Sequence, residues 1–569
     1  MKKTKLVALL MALVMVLSVS AASAETYNPF WIEPMETPVT LNVVTGWGPD
    51  ASLPEGTTPE NNKLLSVLED MNIKLNYLWT VPDEQFEERL ALQISSGELP
   101  DVVMLGSSDY YDFRDTGYLR DLTEAYEKWG SDELKELMNG MGADALKYGS
   151  KDGKIYGIPA VLDAAEGVVG LYYRADWLKA LNMEVPTTMD GVNEMIIALA
   201  KYGETVNGGK TVAGMANASA VLNNNFSMNG YFQAYGSYPN RWVMRDGKLM
   251  NGLLLDETLD ALKGLHYLYE NGGIAVDFPT WNFDTFEARL VSDQVATVFG
   301  TYYIAAWPLN ENKQANPDAD WAEIDLINLG SKPAMNQASL QFFNVVTKDA
   351  PAGAEEALIK MLNMSLASSA NSTSDKTFFN GRDLAKNGST VFWLPAYKYY
   401  PTPYTRVREH VYAAYDAKDQ SLLTTDYERE LYGYMTSWLS EGTKNENFAT
   451  NWGQYVSRLG KEMGIALGLR ARETGNYEPN YFYGPTTEAE SRYSSTLSDM
   501  ASQFVNDFIM GNKTEADWAT FKTQYLEAGG QAVQVVDGEV RVLEKAQNTQ
   551  IAHHVHDQHG LSGLLLSDV

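Results

Sequence analysis

Between Val39 and Leu105 the chain reads strand, helix, strand, helix, strand, and this alternation limits its fold more than any other feature. "VTLNVVTGW" alternates and is rich in β-branched residues, the pattern of a strand. "TPENNKLLSVLEDM" follows, with Thr58 placed to cap a helix, Pro59 at its first position and Leu64, Leu65 and Leu68 on one face. "IKLNYLW" is a second strand, and "PDEQFEERLALQISSG" repeats Phe86, Leu90 and Ile94 at helical spacing. Gly97 closes that helix, Pro100 forces Leu99 into extended geometry, and Asp101 to Leu105 begins a central strand buried on both faces. Strands alternating with helices imply a parallel sheet. Ligands of such sheets bind beyond the carboxyl ends of the strands. Beyond the third strand lies "GSSDYYDF", read as a polar loop; beyond the first lies Trp47, between Gly46 and Gly48. Trp47, Tyr110, Tyr111 and Asp112 are therefore candidate ligand contacts, the alternative being that these aromatics pack on their neighbours.

With 569 residues the chain is too long for one hydrophobic core, so two or more lobes are expected. "KDGKIYGIPA" predicts a turn and a short strand, and "VGLYYRADWLKALNMEVPTTMDGVNEMIIALAKYG" a strand, a helix, a Pro-Thr-Thr entry and a second helix. A helix over 253–273, a strand "VATVF", strands in "IDLINLG" and "ASLQFFNVVT", and a helix "APAGAEEALIKMLNMSL" follow. From 350 to 530 the pattern is mainly helical, broken by the aromatic loops "FWLPAYKYYPTPY" and "NYEPNYFYGPT". No repeat and no long low-complexity linker occurs, so the lobes are expected to exchange chain directly. Interlobe crossings are expected near 159–171 and 324–336. Trp281, Trp307, Trp393 and Tyr483 join the candidate ligand contacts from the crossing and second-lobe segments.

Met1 to Lys5 is basic, Leu6 to Val19 is apolar, and Ala22-Ser23-Ala24 has the small-x-small pattern of a signal-peptidase site. Residues 1–24 are read as a removed export signal, since the apolar run is shorter than the roughly 20 residues of a membrane span. Net charge is −30, and such a surface repels phosphate backbones and anionic lipid, which argues against nucleic acid as a partner. The chain has no cysteine, which excludes disulfides, thiolate metal sites, a cysteine nucleophile and a lipid-anchored cysteine at the cleavage site.

Taken in order, "SSGELPDVVML", "DGKIYGIPA", "LYYRADWLKALNMEVPTT" and "YFYGPTTEAESRYSSTLSDMASQFVNDFIMG" with "FKTQYLEAGG" resemble the family 1 extracellular solute-binding proteins of ABC importers. The resemblance spans roughly residues 39–530, and the last segment is similar to a long branch that includes alginate-oligosaccharide-binding relatives. It implies an α/β, two-lobed periplasmic-binding-protein-like fold of type II, with hinge-joined lobes, central sheets and a helix-rich C-terminal part. The first lobe would comprise 25–163 and 328–395, the second 164–327 and 396–540, with 541–569 a tail. An oligosaccharide would be captured between the lobes and passed to permease subunits in the membrane by a monomer.

Residue chemistry supports a sugar ligand independently, because 13 Trp, 33 Tyr and 19 Phe can supply platforms for pyranose C–H faces. Two departures stand out. Ala24-Glu25 replaces the lipobox cysteine of many relatives, and "KYGETVNGGKTVAGM" lacks the Asp-x-Asp-x-Asn-Gly series of the branch's calcium loop. Glu204 and Asn207 alone cannot build a cage of six to eight oxygens, so no metal and no cofactor is expected. Four of the six histidines lie in "IAHHVHDQHG" (His553, His554, His556 and His559), read as a solvated tail rather than a metal site. No metalloprotease, nucleophile-elbow or Walker motif is present. The rival reading, a secreted glycoside hydrolase, needs two carboxylates at a set separation, and no motif proposes a pair among 74 acidic residues.

Overall fold

The computed structural model describes residues 33–47, 63–82, 85–140, 145–161, 164–208, 221–222, 226–239, 241–330, 332–335, 340–370, 404–483, 487–534 and 541–542. The opening segment shows the predicted order of elements, β1 (Val39–Trp47), α1 (Lys63–Asp70), β2 (Ile73–Pro82), α2 (Phe86–Ser96) and β3 (Val102–Leu105), while the expected helix start at Thr58 and Pro59 lies outside the described residues. Gly97 caps α2 in the left-handed conformation, φ 79°, and its N–H reaches the Ile94 carbonyl. Two residues after Leu99 the chain is already locked into the sheet. The Asp101 carboxylate accepts the Asn42 N–H at 2.6 Å, and the Asp101 N–H returns to the Asn42 carbonyl at 2.7 Å.

After β3 comes a helix, α3 (Ser107–Asp115), where the sequence reading placed a loop. The chain then forms β4 (Ile158–Val161), passes to β5 (Gly170–Arg174), and continues through α4 (Met189–Val206) and α5 (Glu257–Glu270) to β6 (Thr297–Gly300) and β7 (Trp321–Ile324). Thr188 caps α4 through the Gly191 N–H, as the Pro-Thr-Thr entry suggests. "IDLINLG" is not a strand. Only Ile324 ends β7; Leu326–Gly330 is a helical turn, α6, entered through the Asp325 carboxylate, which accepts the Ile327 N–H at 3.0 Å. The chain returns as β8 (Leu340–Val346) and α7 (Ala354–Ala370). The C-terminal part contains α8 (Tyr404–Ala417), α9 (Asp426–Glu441), α10 (Phe448–Leu459), α11 (Ile465–Thr474), α12 (Glu488–Ile509) and α13 (Glu515–Tyr525).

Two main sheets result. The first has the order β2-β1-β3-β8-β4, with β1, β2 and β3 parallel and β8 antiparallel to both β3 and β4. The second is antiparallel, β6-β5-β7. The first sheet is buried on both faces: Leu41, Val43 and Val102 pack with Leu358 and Leu362 of α7, while Val44, Val103 and Leu105 pack with Leu90, Phe343 and Tyr110. This is why the strand "VVML" is an unbroken apolar run. Around the second sheet, Leu171 and Phe299 share a core with Ile196, Leu262 and, from the C-terminal helices, Phe504, Phe508 and Phe521. The molecule is thus two-lobed α/β, and the chain passes between the sheets after Val161 and again after Ile324.

Candidate functional site

The crossings define which sheet edges face the junction of the lobes. In the first sheet β4 ends at Val161, opposite the start of β8 at Leu340. Because β8 runs antiparallel to β3, the carboxyl ends of β3 and of its parallel neighbour β1 lie at that same edge. In the second sheet β5 begins at Gly170, β7 ends at Ile324 with Leu171 as its partner, and Gly300 at the end of β6 pairs with Gly170. Both lobes therefore present strand ends to the crossings, the position where an open sheet binds ligand.

On the first-lobe edge the structure corrects two of the predicted contacts. Tyr110 and Tyr111 are buried in the core, not displayed in a loop. Tyr110 stacks on Phe343 with ring centroids 3.6 Å apart, Tyr111 meets the same ring edge-on at 5.7 Å, and the Arg114 guanidinium lies 4.8 Å from the Tyr111 ring. The cause is helical spacing: positions 110, 111 and 114 fall on one face of α3, and that face lies on the sheet. The opposite face carries Ser108 and Asp112, both exposed. Asp109, half-buried in the first turn, has its carboxyl pushed up, mainly by burial and then by Asp112. Trp47 ends β1 at this edge.

Trp281 is also a core residue, 1% exposed, with the Arg289 guanidinium 4.3 Å from its ring. Trp307, by contrast, is 39% exposed; it packs against Phe283 and Phe226, whose N–H bonds the Phe299 carbonyl in β6. Tyr483 lies in a two-residue strand pairing Arg541. Trp393 lies outside the described residues.

The second-lobe edge holds a polar chain that the sequence reading missed. Tyr302, two residues past β6, donates its hydroxyl to Glu166 Oε2 at 3.0 Å. The Tyr404 hydroxyl donates to the Tyr302 oxygen at 3.4 Å and lies 3.3 Å from the Tyr427 oxygen. Arg458 hydrogen-bonds Tyr427 and also donates to Ser457 Oγ at 2.7 Å. These groups come from the first crossing, the strand end, α8, α9 and α10. Glu166, Tyr302, Tyr427 and Arg458 are half-buried, whereas Tyr404 is buried. Burial raises the pKa of the Tyr302 and Tyr404 hydroxyls, which stay neutral at physiological pH. "TYYIAAW" after a strand was the available signal, but it drew attention to Trp307 rather than Tyr302.

Nearby, Glu323 in β7 turns its carboxyl across Gly170, where an added Cβ would lie 2.0 Å from a carboxyl oxygen. Its Oε2 accepts the Gly464 N–H at 2.6 Å, and Tyr172 also bonds it. Although part of the residue reaches solvent, its carboxyl is enclosed by protein. Burial, with help from Asp325, pushes it up to about 8, against the opposing bonds from Gly464 and Tyr172 and the charge of Arg470. Among the described residues no group of three or more His, Cys, Asp and Glu could hold a metal ion, and no helix is long and apolar enough to cross a membrane.

A two-lobed α/β fold with strand ends at the crossings is also what the comparisons with known proteins find. The profile of the bacterial extracellular solute-binding proteins matches residues 68–373, more than half of the chain, and the chain belongs to that family. It is 25% identical over 279 residues to lipoprotein LipO of Bacillus subtilis, covering 48% of this chain and 53% of that protein. It is 26% identical over 227 residues to the polygalacturonan/rhamnogalacturonan-binding protein YtcQ of the same organism, covering 39% and 43%. To the fructooligosaccharide ABC transporter substrate-binding protein FusA of Streptococcus pneumoniae it is 25% identical over 300 residues, covering 50% and 53%. These matches span about half the length of each relative. The solved structure of FusA in complex with kestose superposes with a TM-score of 0.54 at 16% identity, over 87% of this chain and 97% of that one. The family is one of solute-binding proteins, and YtcQ and FusA are both named as binding proteins.

Proposed function

We propose that this chain captures an oligosaccharide between its lobes and delivers it, unhydrolysed, to the membrane permease of an ABC importer. Family membership supports capture, and the names of YtcQ and FusA support a saccharide. The observation that carries the reading is the Glu166–Tyr302–Tyr404–Tyr427–Arg458 chain at the second-lobe edge. Paired polar groups beside aromatic rings suit a ligand with many hydroxyls and apolar C–H faces. Trp47, Asp112 and Trp307 supply further contacts from the two edges, with Trp393 and Tyr483 retained as candidates. Tyr110, Tyr111 and Trp281 support the fold instead. The lobes divide as 25–163 with 328–395 and 164–327 with 396–540, export uses residues 1–24, and the protein works as a monomer without a cofactor. Closure follows from tighter ligand contacts in the closed state.

A thermal-shift screen of the mature protein against neutral and acidic oligosaccharides tests this, because a ligand of the native state raises Tm. Hits are then titrated by calorimetry and recovered for product analysis. A saccharide that binds and is recovered intact supports transport. Shortened products would establish the hydrolase reading instead, and a panel without any hit would remove saccharides as the ligand class.

A further inference from the structure

Beneath the second-lobe edge two acceptors compete for one proton, and the competition reaches Tyr302, granted that this edge binds a saccharide as proposed above. Tyr172 in β5 and Glu323 in β7 are directly opposite each other, so their side chains share one face of the sheet. The Tyr172 hydroxyl donates to the Thr301 carbonyl at 3.2 Å and is also bonded to the Glu323 carboxyl. A phenol has a single proton to donate. With that proton on Thr301, Tyr172 meets Glu323 only as an acceptor, and the carboxyl supplies the hydrogen. In this arrangement Glu323 is a carboxylic acid, not a carboxylate.

Two glycines build the seat for this acid. Its Oε1 fills the space left open at Gly170, and its Oε2 accepts the Gly464 N–H. Gly464 has φ 67°, and a Cβ added there would lie 2.3 Å from the Ser457 carbonyl oxygen. Burial is the main force that keeps the carboxyl neutral, and Asp325 in β7 adds to it. The Gly464 and Tyr172 bonds and the charge of Arg470 in α11 oppose it; Arg470 bonds Asp325 at 3.4 Å. Lys461 and Glu462, in the turn before Gly464, are exposed, and Glu166 in the first crossing is bonded to Tyr302. The Thr301 carbonyl also accepts the Ile304 N–H at 3.1 Å, which closes the turn carrying Tyr302. An ionised Glu323 is the stronger acceptor, so it draws the Tyr172 hydroxyl to itself and takes that donor from Thr301.

We infer that Glu323 is a positioning residue of the binding site: its O–H, acting through Tyr172, holds the Thr301 turn and thereby aims Tyr302 at the ligand. Affinity then depends on a proton that no ligand touches. That proton is held at low pH and leaves as pH rises through about 8, so affinity falls in the same direction.

The test titrates gluco-, galacto-, manno- and galacturono-oligosaccharides by calorimetry at about pH 6, and follows the tightest binder to about pH 9. Wild type is expected to lose about threefold to tenfold in affinity over that range, the scale of one hydrogen bond. Glu323→Gln puts a neutral donor in the same seat, so its profile should be flat. Tyr172→Phe should bind more weakly than wild type at low pH, also with a flat profile. A second readout needs no ligand: the infrared difference between wild type and Glu323→Gln should show the carbonyl stretch of a protonated carboxyl at about pH 6, gone by about pH 9. Absence of that band at low pH overturns the inference and leaves saccharide capture standing. So does a band beside a flat wild-type profile, or equal slopes in wild type and Glu323→Gln. If no saccharide binds at any pH, the reading of the site itself falls, and the positioning role with it, whatever the band shows.

Discussion

Two groups of tyrosines follow strand ends at the junction of the lobes, and they do opposite things. Tyr110 and Tyr111, five and six residues after β3, turn under α3 and close over Phe343. Tyr302, two residues after β6, stays at the edge and joins a hydrogen-bonded chain with Glu166, Tyr404 and Tyr427. The residue type and the kind of strand end are alike. The difference lies in what each ring meets: a flat apolar sheet face in the first lobe, and helices carrying polar partners in the second. An aromatic at a strand end thus stays out of the core only where the surrounding elements offer it polar partners.

The contrast predicts separable mutant phenotypes. Tyr110→Ala empties a core position stacked on Phe343 and should cost about 3–5 kcal/mol of stability, read as a denaturant midpoint. The protein that remains folded should bind ligand normally; weaker binding with unchanged stability would place Tyr110 in the site after all. Trp307→Ala should do the reverse, weakening saccharide binding by about 1–3 kcal/mol, by analogy with stacking of bases on aromatics, while Tm moves little.

A third effect is expected from pH. Glu323 is pushed up to about 8 from its ordinary 4.5, so between those values the folded protein holds a proton that the unfolded chain has released. Its contribution to stability is intact below 4.5 and is lost as pH rises to about 8. Thermal melts across that window should show a fall in Tm that Glu323→Gln flattens; equal slopes in both proteins would show that Glu323 does not carry the effect. The smallest expected effect is none at all: calcium titrated into chelator-treated protein should give no heat from the 201–215 segment. Tight binding abolished by Glu204→Ala would contradict this.

Much of the strand and helix order in both lobes was legible because its signals are local. The apolar run of β3, the Gly97 stop and the Thr188 cap are each decided within a few residues. α3 was misread because "GSSDYYDFRD" is polar overall and its buried face holds two tyrosines and an arginine, which do not look like a core stripe. "IDLINLG" was misread because Asp325 turns an apolar run into a helical entry. The polar chain was invisible for a different reason. Its members come from positions 166, 302, 404, 427 and 458, and only the packing of α8, α9 and α10 against the strand end of β6 brings them together.

The most direct test of the account removes one hydroxyl at a time. Tyr302→Phe and Tyr111→Phe keep their rings, so each variant should fold, and both can be titrated with the saccharide found by thermal shift. The account predicts about a tenfold loss of affinity for Tyr302→Phe, the scale of a hydrogen bond to a charged group, and unchanged affinity for Tyr111→Phe. Full affinity in Tyr302→Phe together with a loss in Tyr111→Phe would contradict it, and would return the site to the first-lobe edge.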